Sequence, residues 1–172
     1  MQDLTYVTYC GLYCKLCDNL ARIPPQASSL HKTLQKGGWE HFGPHLISGF
    51  KEFWAVLERW SQVDPNFEGC RGGKCGNPNC NIRKCARSHQ VELCPSCEDY
   101  PCKHIHELAK RYPNLIGDGK RQQEVGLDQW IQEQEERCKT GFCYCDIRYD
   151  AWSIIEQRNR AYPLKRSAHS YR

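Results

Sequence analysis

Seven cysteines lie close together in CRGGKCGNPNCNIRKC at residues 70–85 and CPSCEDYPC at residues 94–102. Two further groups of cysteines lie nearer the ends of the chain, CGLYCKLC at residues 10–17 and CKTGFCYC at residues 138–145. The chain has 13 cysteines in 172 residues. Because cysteines so closely spaced are metal ligands far more often than core residues, we predict that metal ions hold the irregular parts of the fold together.

The N-terminal sequence and the lack of a long apolar run indicate where the protein is located in the cell. The first residues, MQDLTYVTYC, lack the basic and apolar regions of a secretory signal, and no apolar run is long enough to cross a bilayer. We therefore expect a cytoplasmic protein with no membrane contact, in which thiols stay reduced. Disulfides are the alternative interpretation, but 13 is an odd number, so the cysteines cannot all pair within one chain.

The formal charge of +4 does not indicate a nucleic-acid partner. Residues 157–172 contain five basic side chains and no acidic one, so the end of the chain accounts for the excess. Each Zn²⁺ held by four thiolates would lower the formal charge by two, because a bound cysteine has lost its proton. Nucleic-acid binding is therefore not supported, and we expect an unknown protein partner instead.

Outside the cysteine groups the sequence is typical of helices. Apolar residues recur three or four positions apart after Pro44, at Leu46, Phe50, Phe53, Leu57 and Trp60, and we expect this face in the core. Only TYVTY at residues 5–9 alternates like a strand. We predict helices at about 28–37, 44–61, 99–112, 120–137 and 150–160. The expected fold is mainly α, a single domain over residues 1–172 with irregular cysteine-rich loops, little β structure and a basic tail at about 161–172.

The spacing allows several groupings of the cysteines around metal ions. Zinc prefers four nitrogen or sulfur ligands, and a C-x2-C turn places two sulfurs on one ion. One possible site has Cys80, Cys85, Cys94 and Cys97, and another has Cys10, Cys14 and Cys17 with a distant cysteine such as Cys102. Cys70 and Cys75 would then bind with the C-terminal group. Spacing does not fix which cysteines share an ion, so these groupings stay open.

The C-terminal cysteines are weaker candidates. Cys143 and Cys145 would point to opposite sides of an extended chain, so they need a turn before both can bind one ion. Partly buried free thiols are the alternative for Cys138, Cys143 and Cys145. Among the histidines, His89 is the best additional ligand because it lies between Cys85 and Cys94. No catalytic residue is predicted, since no nucleophile, base and orienting group occur in a recognisable order, and we favour a role other than catalysis.

An iron–sulfur cluster is the main alternative to zinc. Cys10-x3-Cys14-x2-Cys17 has the spacing that holds the [4Fe–4S] cluster of radical S-adenosylmethionine enzymes, but the βαβ alternation of their barrel is missing. Three thiolates and one remote cysteine could still hold such a cluster without radical chemistry. The protein would then be an electron carrier or an accessory factor of an anaerobic enzyme system.

Three segments together resemble domain of unknown function family 3795, small cysteine-rich proteins chiefly of anaerobic bacteria and archaea. They are YCGLYCKLC at 9–17, CNIRKCARSHQVELCPSCEDYPC at 80–102 and the YPNLI and EVGLDQWIQEQEER runs within 112–137. The resemblance implies a metal-binding protein with no established activity. It places ten cysteines on the family's cysteine positions: Cys10, Cys14, Cys17, Cys70, Cys75, Cys80, Cys85, Cys94, Cys97 and Cys102. The C-terminal CKTGFCYC departs from the C-x2-C ribbon that many relatives have there.

These observations predict a protein that binds two or three Zn²⁺ ions, with a [4Fe–4S] cluster as the alternative cofactor. Closed sites made only of thiolates are usually structural, because their binding free energy serves as folding free energy. We therefore expect a helical protein whose loops are ordered by metal ions and whose function is to bind a protein partner.

Overall fold

The computed structural model describes residues 4–64, 66–73, 75 and 77–148. This part of the chain is mostly helical and contains no β-strand, which confirms the prediction of a mainly α fold. The helices are α1 (Asp18–Ala21), α2 (Ile23–Lys36), α3 (Trp39–Leu46), α4 (Phe50–Trp60), α5 (Asn81–Ser88), α6 (Lys103–Ala109) and α7 (Leu115–Lys139). The helix predicted at 150–160 and the basic tail lie outside the described residues.

The predicted strand at residues 5–9 forms only an isolated antiparallel bridge between Val7 and Tyr13. Both residues are buried, at 1% and 3% exposure, because the bridge folds the N-terminal segment back against the core. The alternation of the sequence therefore reflects local burial and not a sheet.

Helices α2, α3 and α4 pack against one another. Helix α2 begins at Ile23, with Pro24 in its first turn, and not at Ser28 or Ser29 as expected. The single helix predicted over 44–61 is wrong, since α3 ends at Leu46 and α4 begins after Gly49, whose φ of 77° is left-handed. The hydrophobic residues keep their three- or four-residue spacing across this break. Their pattern therefore gave no sign that a helix ends at Leu46.

The helix side that the sequence predicted for the core is only partly buried. Phe50 and Leu57 are 4% exposed, whereas Leu46, Phe53 and Trp60 on the same predicted face are exposed. Among the residues that the structure describes, the exposed large hydrophobic side chains lie in this helical region or just after it, and we call them the apolar face: Leu30, Phe42, Leu46, Ile47, Phe53, Val56, Trp60 and Val63.

Helix α7 is longer than the predicted 120–137 and is broken at Gly126 (φ 79°, ψ 167°). Arg121 forms an ion pair with Glu133 at 2.7 Å. At about 1.5 Å rise per residue these two would stand roughly 18 Å apart on a straight helix. The two halves of α7 therefore fold back on each other as a helical hairpin.

The core lies between this hairpin and the N-terminal segment. Trp130 and Leu16 are fully buried and pack with Tyr144, while Ile105 of α6 and Leu115 of α7 lie in a neighbouring cluster that includes Cys10. Helix α6 is shorter than the predicted 99–112, since the chain turns at Glu98 and Asp99 and is extended at Cys102 before the helix begins. The Tyr100–Pro101 peptide bond in this segment is cis. No helix in the described ranges is long and apolar enough to span a membrane.

Candidate metal centre

The two C-x2-C motifs adopt the same local structure. Each begins a 3-10 turn, at Cys14–Leu16 and at Cys94–Ser96. In each, the amide of the second cysteine donates to the carbonyl of the first at 2.9 Å. The second cysteine is then extended, with φ/ψ of −79°/143° at Cys17 and −80°/140° at Cys97. This turn is the kind that presents two sulfurs to one ion.

The two turns are held next to each other. The amide of Cys94 donates to the carbonyl of Tyr9 at 2.7 Å. A Cβ on Gly11, which has φ +91°, would stand 3.3 Å from the Pro95 ring, tighter than ordinary packing. Cys10 is therefore buried beside the second turn, and the two cysteine segments form one continuous region.

Four cysteines line one cavity of about 200 Å³. They come from α5, from the second C-x2-C turn and from the residue before α6, and we call them the cavity cluster: Cys85, Cys94, Cys97 and Cys102. His89 and His104 also line this cavity, and His89 Nδ1 lies 3.7 Å from Cys85 Sγ. His89 therefore lies beside Cys85, and its role as a ligand stays a prediction.

Helix α5 explains why Cys80 is not among the cysteines lining this cavity. Cys80 is its N-terminal cap and Cys85 lies within it. At about 100° per residue, five positions turn the two side chains roughly 140° apart. Cys102 therefore lines this cavity with Cys85, Cys94 and Cys97, in the position that the sequence spacing suggested for Cys80. Helix α5 was not predicted, although Ile82 and Ala86, four residues apart and both buried, are the signal that could have shown it.

Six of the remaining nine cysteines, Cys10 among them, form a second group. Cys70 and Cys80 lie close to Cys10, Cys17 and Cys70 lie close to Cys14, and Cys75 lies close to Cys70. We call this group the inner cluster: Cys10, Cys14, Cys17, Cys70, Cys75 and Cys80. Cys70 and Cys75 thus belong with the N-terminal cysteines and not with the C-terminal group suggested from spacing.

Burial keeps the thiols of Cys10 and Cys14 protonated in the absence of a cation. It is the largest cause of the rise in pKa to about 11 at Cys10 and about 12 at Cys14, and neighbouring thiols make smaller contributions to the same rise. In the cavity cluster, burial raises the pKa of Cys94 to about 12, with further contributions from Cys10 and Cys102. A metal ion binding here must displace protons, so binding would be coupled to proton release.

Arg83 is a buried cation beside these thiols that sequence reasoning missed. It is 5% exposed, and its Nη1 donates to Cys75 Sγ at 3.2 Å. Its other nitrogen donates to the carbonyls of Asn77 and Pro78. The guanidinium therefore anchors the loop before α5 and places a positive charge next to the inner cluster. No periodic pattern in the sequence indicates that Arg83 is buried beside cysteines.

The donor chemistry fits a thiophilic metal, whereas the side-chain positions do not form a closed coordination shell. Within the described ranges, no three cysteine, histidine or acidic side chains stand in an arrangement that could hold a metal ion. All thirteen cysteines are free thiols. Metal binding would therefore require rotation of the cysteine side chains within the clusters.

The C-terminal cysteines separate into a pair and a single residue. Cys143 and Cys145 lie on either side of Tyr144 at a 3-10 turn, with their Sγ atoms 3.1 Å apart. Cys138 lies elsewhere, beside Glu135 and Lys15. The turn needed to bring Cys143 and Cys145 together is therefore present, but the three residues do not form one group.

A family model matches more than half of the chain. The model of a family described as Protein of unknown function (DUF3795) matches residues 6–107. The match spans both cysteine clusters and also the helical region at 18–69, which the resemblance in sequence had left out, while the 112–137 segment lies beyond it. No curated protein and no solved structure matches the chain.

Proposed function

The chain belongs to the family DUF3795, which carries no assigned function, and from its own residues we propose that it is a zinc protein with structural thiolate sites. One observation carries the proposal, the presence of four cysteines from three separate segments around a single cavity of about 200 Å³. Four sulfurs are what a closed tetrahedral zinc site requires. One ion there would tie α5, the second C-x2-C turn and the start of α6 together.

The inner cluster is the place for a second site. It holds six thiols, more than one tetrahedral ion uses, and its member Cys10 lies beside Cys94 of the cavity cluster. Buried thiols repel one another when ionised, and a divalent cation removes that repulsion. We therefore propose two or three zinc ions per chain, with the binding free energy stabilising the loops between the helices.

A [4Fe–4S] cluster in the inner cluster is the second candidate. The observation that favours it is the position of Cys70, which lies close to both Cys14 and Cys10 and could serve as the remote fourth ligand beside the N-terminal triplet. The protein would then transfer electrons or assist an anaerobic enzyme system.

Purification without oxygen separates the two candidates. We expect a colourless protein with two or three zinc ions per chain, measured by elemental analysis and visible absorption. A brown protein that contains iron and acid-labile sulfide would contradict the zinc proposal and support the cluster.

The proposed role of the metal-ordered fold is to bind a protein partner in the cytoplasm, without catalysis. Part of the apolar face supports this: Phe53, Val56 and Trp60 lie three and four positions apart on α4 and are all exposed, and an exposed apolar stripe is a feature of interaction sites. A photo-crosslinking residue at Val56 should react with a partner protein, whereas one at the exposed Glu58 of the same helix should react far less. Equal reaction at both positions would contradict a specific interface.

A further inference from the structure

Cys143 and Cys145 are placed to react with each other. The thiol of Cys145 donates to Cys143 Sγ at 3.1 Å. We propose that these two residues form a redox pair that is oxidised to an intramolecular disulfide by exchange with a low-molecular-weight disulfide. This redox pair is separate from the proposed metal sites, since neither residue belongs to the cavity cluster or the inner cluster.

The difference in exposure between Cys143 and Cys145 determines which of them attacks first. Cys145 is exposed and can meet a disulfide from solvent, whereas Cys143 is fully buried directly behind it. In thiol–disulfide exchange the accessible thiolate attacks first and a neighbouring thiolate resolves the mixed disulfide. Cys145 is therefore the attacking residue and Cys143 the resolving residue.

The surrounding contacts hold the turn in this shape. Asp146 Oδ2 accepts from the amide of Cys143 at 3.0 Å and from Arg22 Nη2 at 2.7 Å. Tyr144, between the two cysteines, is 1% exposed, and its hydroxyl accepts from the amide of Tyr13 at 2.9 Å. Because the intervening residue is anchored in the core, the sulfurs cannot separate as they would on an extended chain.

The same contacts disfavour a metal at this turn. The Oδ2 atom of Asp146, beside the pair, already accepts hydrogen bonds from Arg22 and from the Cys143 amide. Cys138 lies beside Lys15 and Glu135 instead. Two sulfurs that share a tetrahedral zinc stand about 3.8 Å apart, given Zn–S bonds of about 2.3 Å. The observed 3.1 Å is closer than that and suits bond formation between the sulfurs.

The reaction balances without a metal. The Cys145 thiolate attacks one sulfur of the external disulfide, so a mixed disulfide forms and one thiolate leaves. Cys143 then attacks Cys145 Sγ, the intramolecular bond forms and the second thiolate leaves. The two thiol protons of the pair go to the two leaving thiolates. The protein loses two electrons and the external disulfide gains them.

The test uses oxidised glutathione with the full-length protein as purified, at mildly alkaline pH where the thiolate fraction is larger. Trypsin releases TGFCYCDIR, residues 140–148, which contains both cysteines of the pair and not Cys138. We expect this peptide from the wild-type protein to have lost two hydrogens and to carry no glutathione. The matched control Cys138→Ser should behave in the same way.

The single variants distinguish the two roles. Cys143→Ser should retain glutathione on Cys145, at least about tenfold more than the wild-type peptide, because the resolving thiol is missing. Cys145→Ser should give little adduct, since Cys143 is buried. Should Cys143→Ser perturb folding by circular dichroism, Cys143→Ala serves in its place. A wild-type peptide that keeps glutathione, or one that stays fully reduced, would overturn the proposal.

Discussion

The amide of Cys94 donates a hydrogen bond of 2.7 Å to the carbonyl of Tyr9. This bond joins the N-terminal cysteine segment to the second C-x2-C turn, which are far apart in sequence. It brings the buried Cys10 next to Cys94. The arrangement of the candidate metal centre thus depends on a tertiary backbone contact and not on cysteine spacing alone.

The break in α7 leads to the first prediction. Gly126 has φ 79° and ψ 167°, a region that residues with a Cβ rarely occupy. Gly126→Ala should lower the free energy of unfolding by on the order of 2 kcal/mol, measured by urea denaturation. No atom lies within 4 Å of the new Cβ, so the cost would come from the backbone.

Gly117→Ala is the matched control on the same helix. Its new Cβ also meets no atom within 4 Å, and its backbone is helical. We expect it to stabilise the protein by about 0.5–1 kcal/mol, since alanine is the better helix former. Similar effects of the two substitutions would show that α7 is not a hairpin turned at Gly126.

The sequence predicted those features that depend only on residues close together in the chain. Helical periodicity gave the mainly α fold, and close spacing identified the cysteines of the two clusters as one chemical class. The breaks at Gly49 and Gly126 were missed because hydrophobic spacing runs across both of them. The grouping of the cysteines could not be predicted, because it depends on the direction of Cys80 and Cys85 around α5 and on the contact between Tyr9 and Cys94.

Two neighbouring glutamines on α7 give a second prediction. Gln122 is 5% exposed, and neither polar atom of its amide has a hydrogen-bond partner within the described part of the chain. Gln122→Met keeps the length of the side chain and removes the unpaired amide. It should raise the free energy of unfolding by about 1 kcal/mol, measured by thermal and urea denaturation.

Gln123→Met should have the opposite effect. Gln123 Nε2 donates to the carbonyl of Pro95 at 2.5 Å, which ties α7 to the second C-x2-C turn. Losing this bond should destabilise the protein by about 1 kcal/mol. If Gln122→Met destabilised the protein as much as Gln123→Met, the Gln122 amide would have to be paired.

The apolar face gives a third prediction. Leu46 is 68% exposed, so Leu46→Glu should change the free energy of unfolding by less than about 0.5 kcal/mol. Phe50, four residues further on, is 4% exposed and packs against Gly43, so Phe50→Ala should cost about 3–5 kcal/mol. A large loss of stability in Leu46→Glu would show that this face is covered within the protein itself.

Metal removal gives a fourth prediction. Treating the zinc-loaded protein with a chelator under reducing conditions should loosen the loops around the clusters, because the binding free energy of the ions contributes to their folding. Trypsin should then cut faster at Arg71, Lys84 and Arg87, while Lys32 and Lys51 of the cysteine-free helices α2 and α4 keep their original rates. An unchanged digestion pattern would mean that the metal does not support the fold.

The most direct test of the proposed metal centre is the number of zinc ions per chain, measured by native mass spectrometry. The double variant Cys97→Ser and Cys102→Ser should bind one zinc ion fewer than the wild-type protein, because it removes two of the four thiols of the cavity cluster. Cys138→Ser, which lies outside both clusters, should bind the same number as the wild type. Equal zinc content in all three proteins, or no zinc in any of them, would contradict the assignment of this cavity as a metal site.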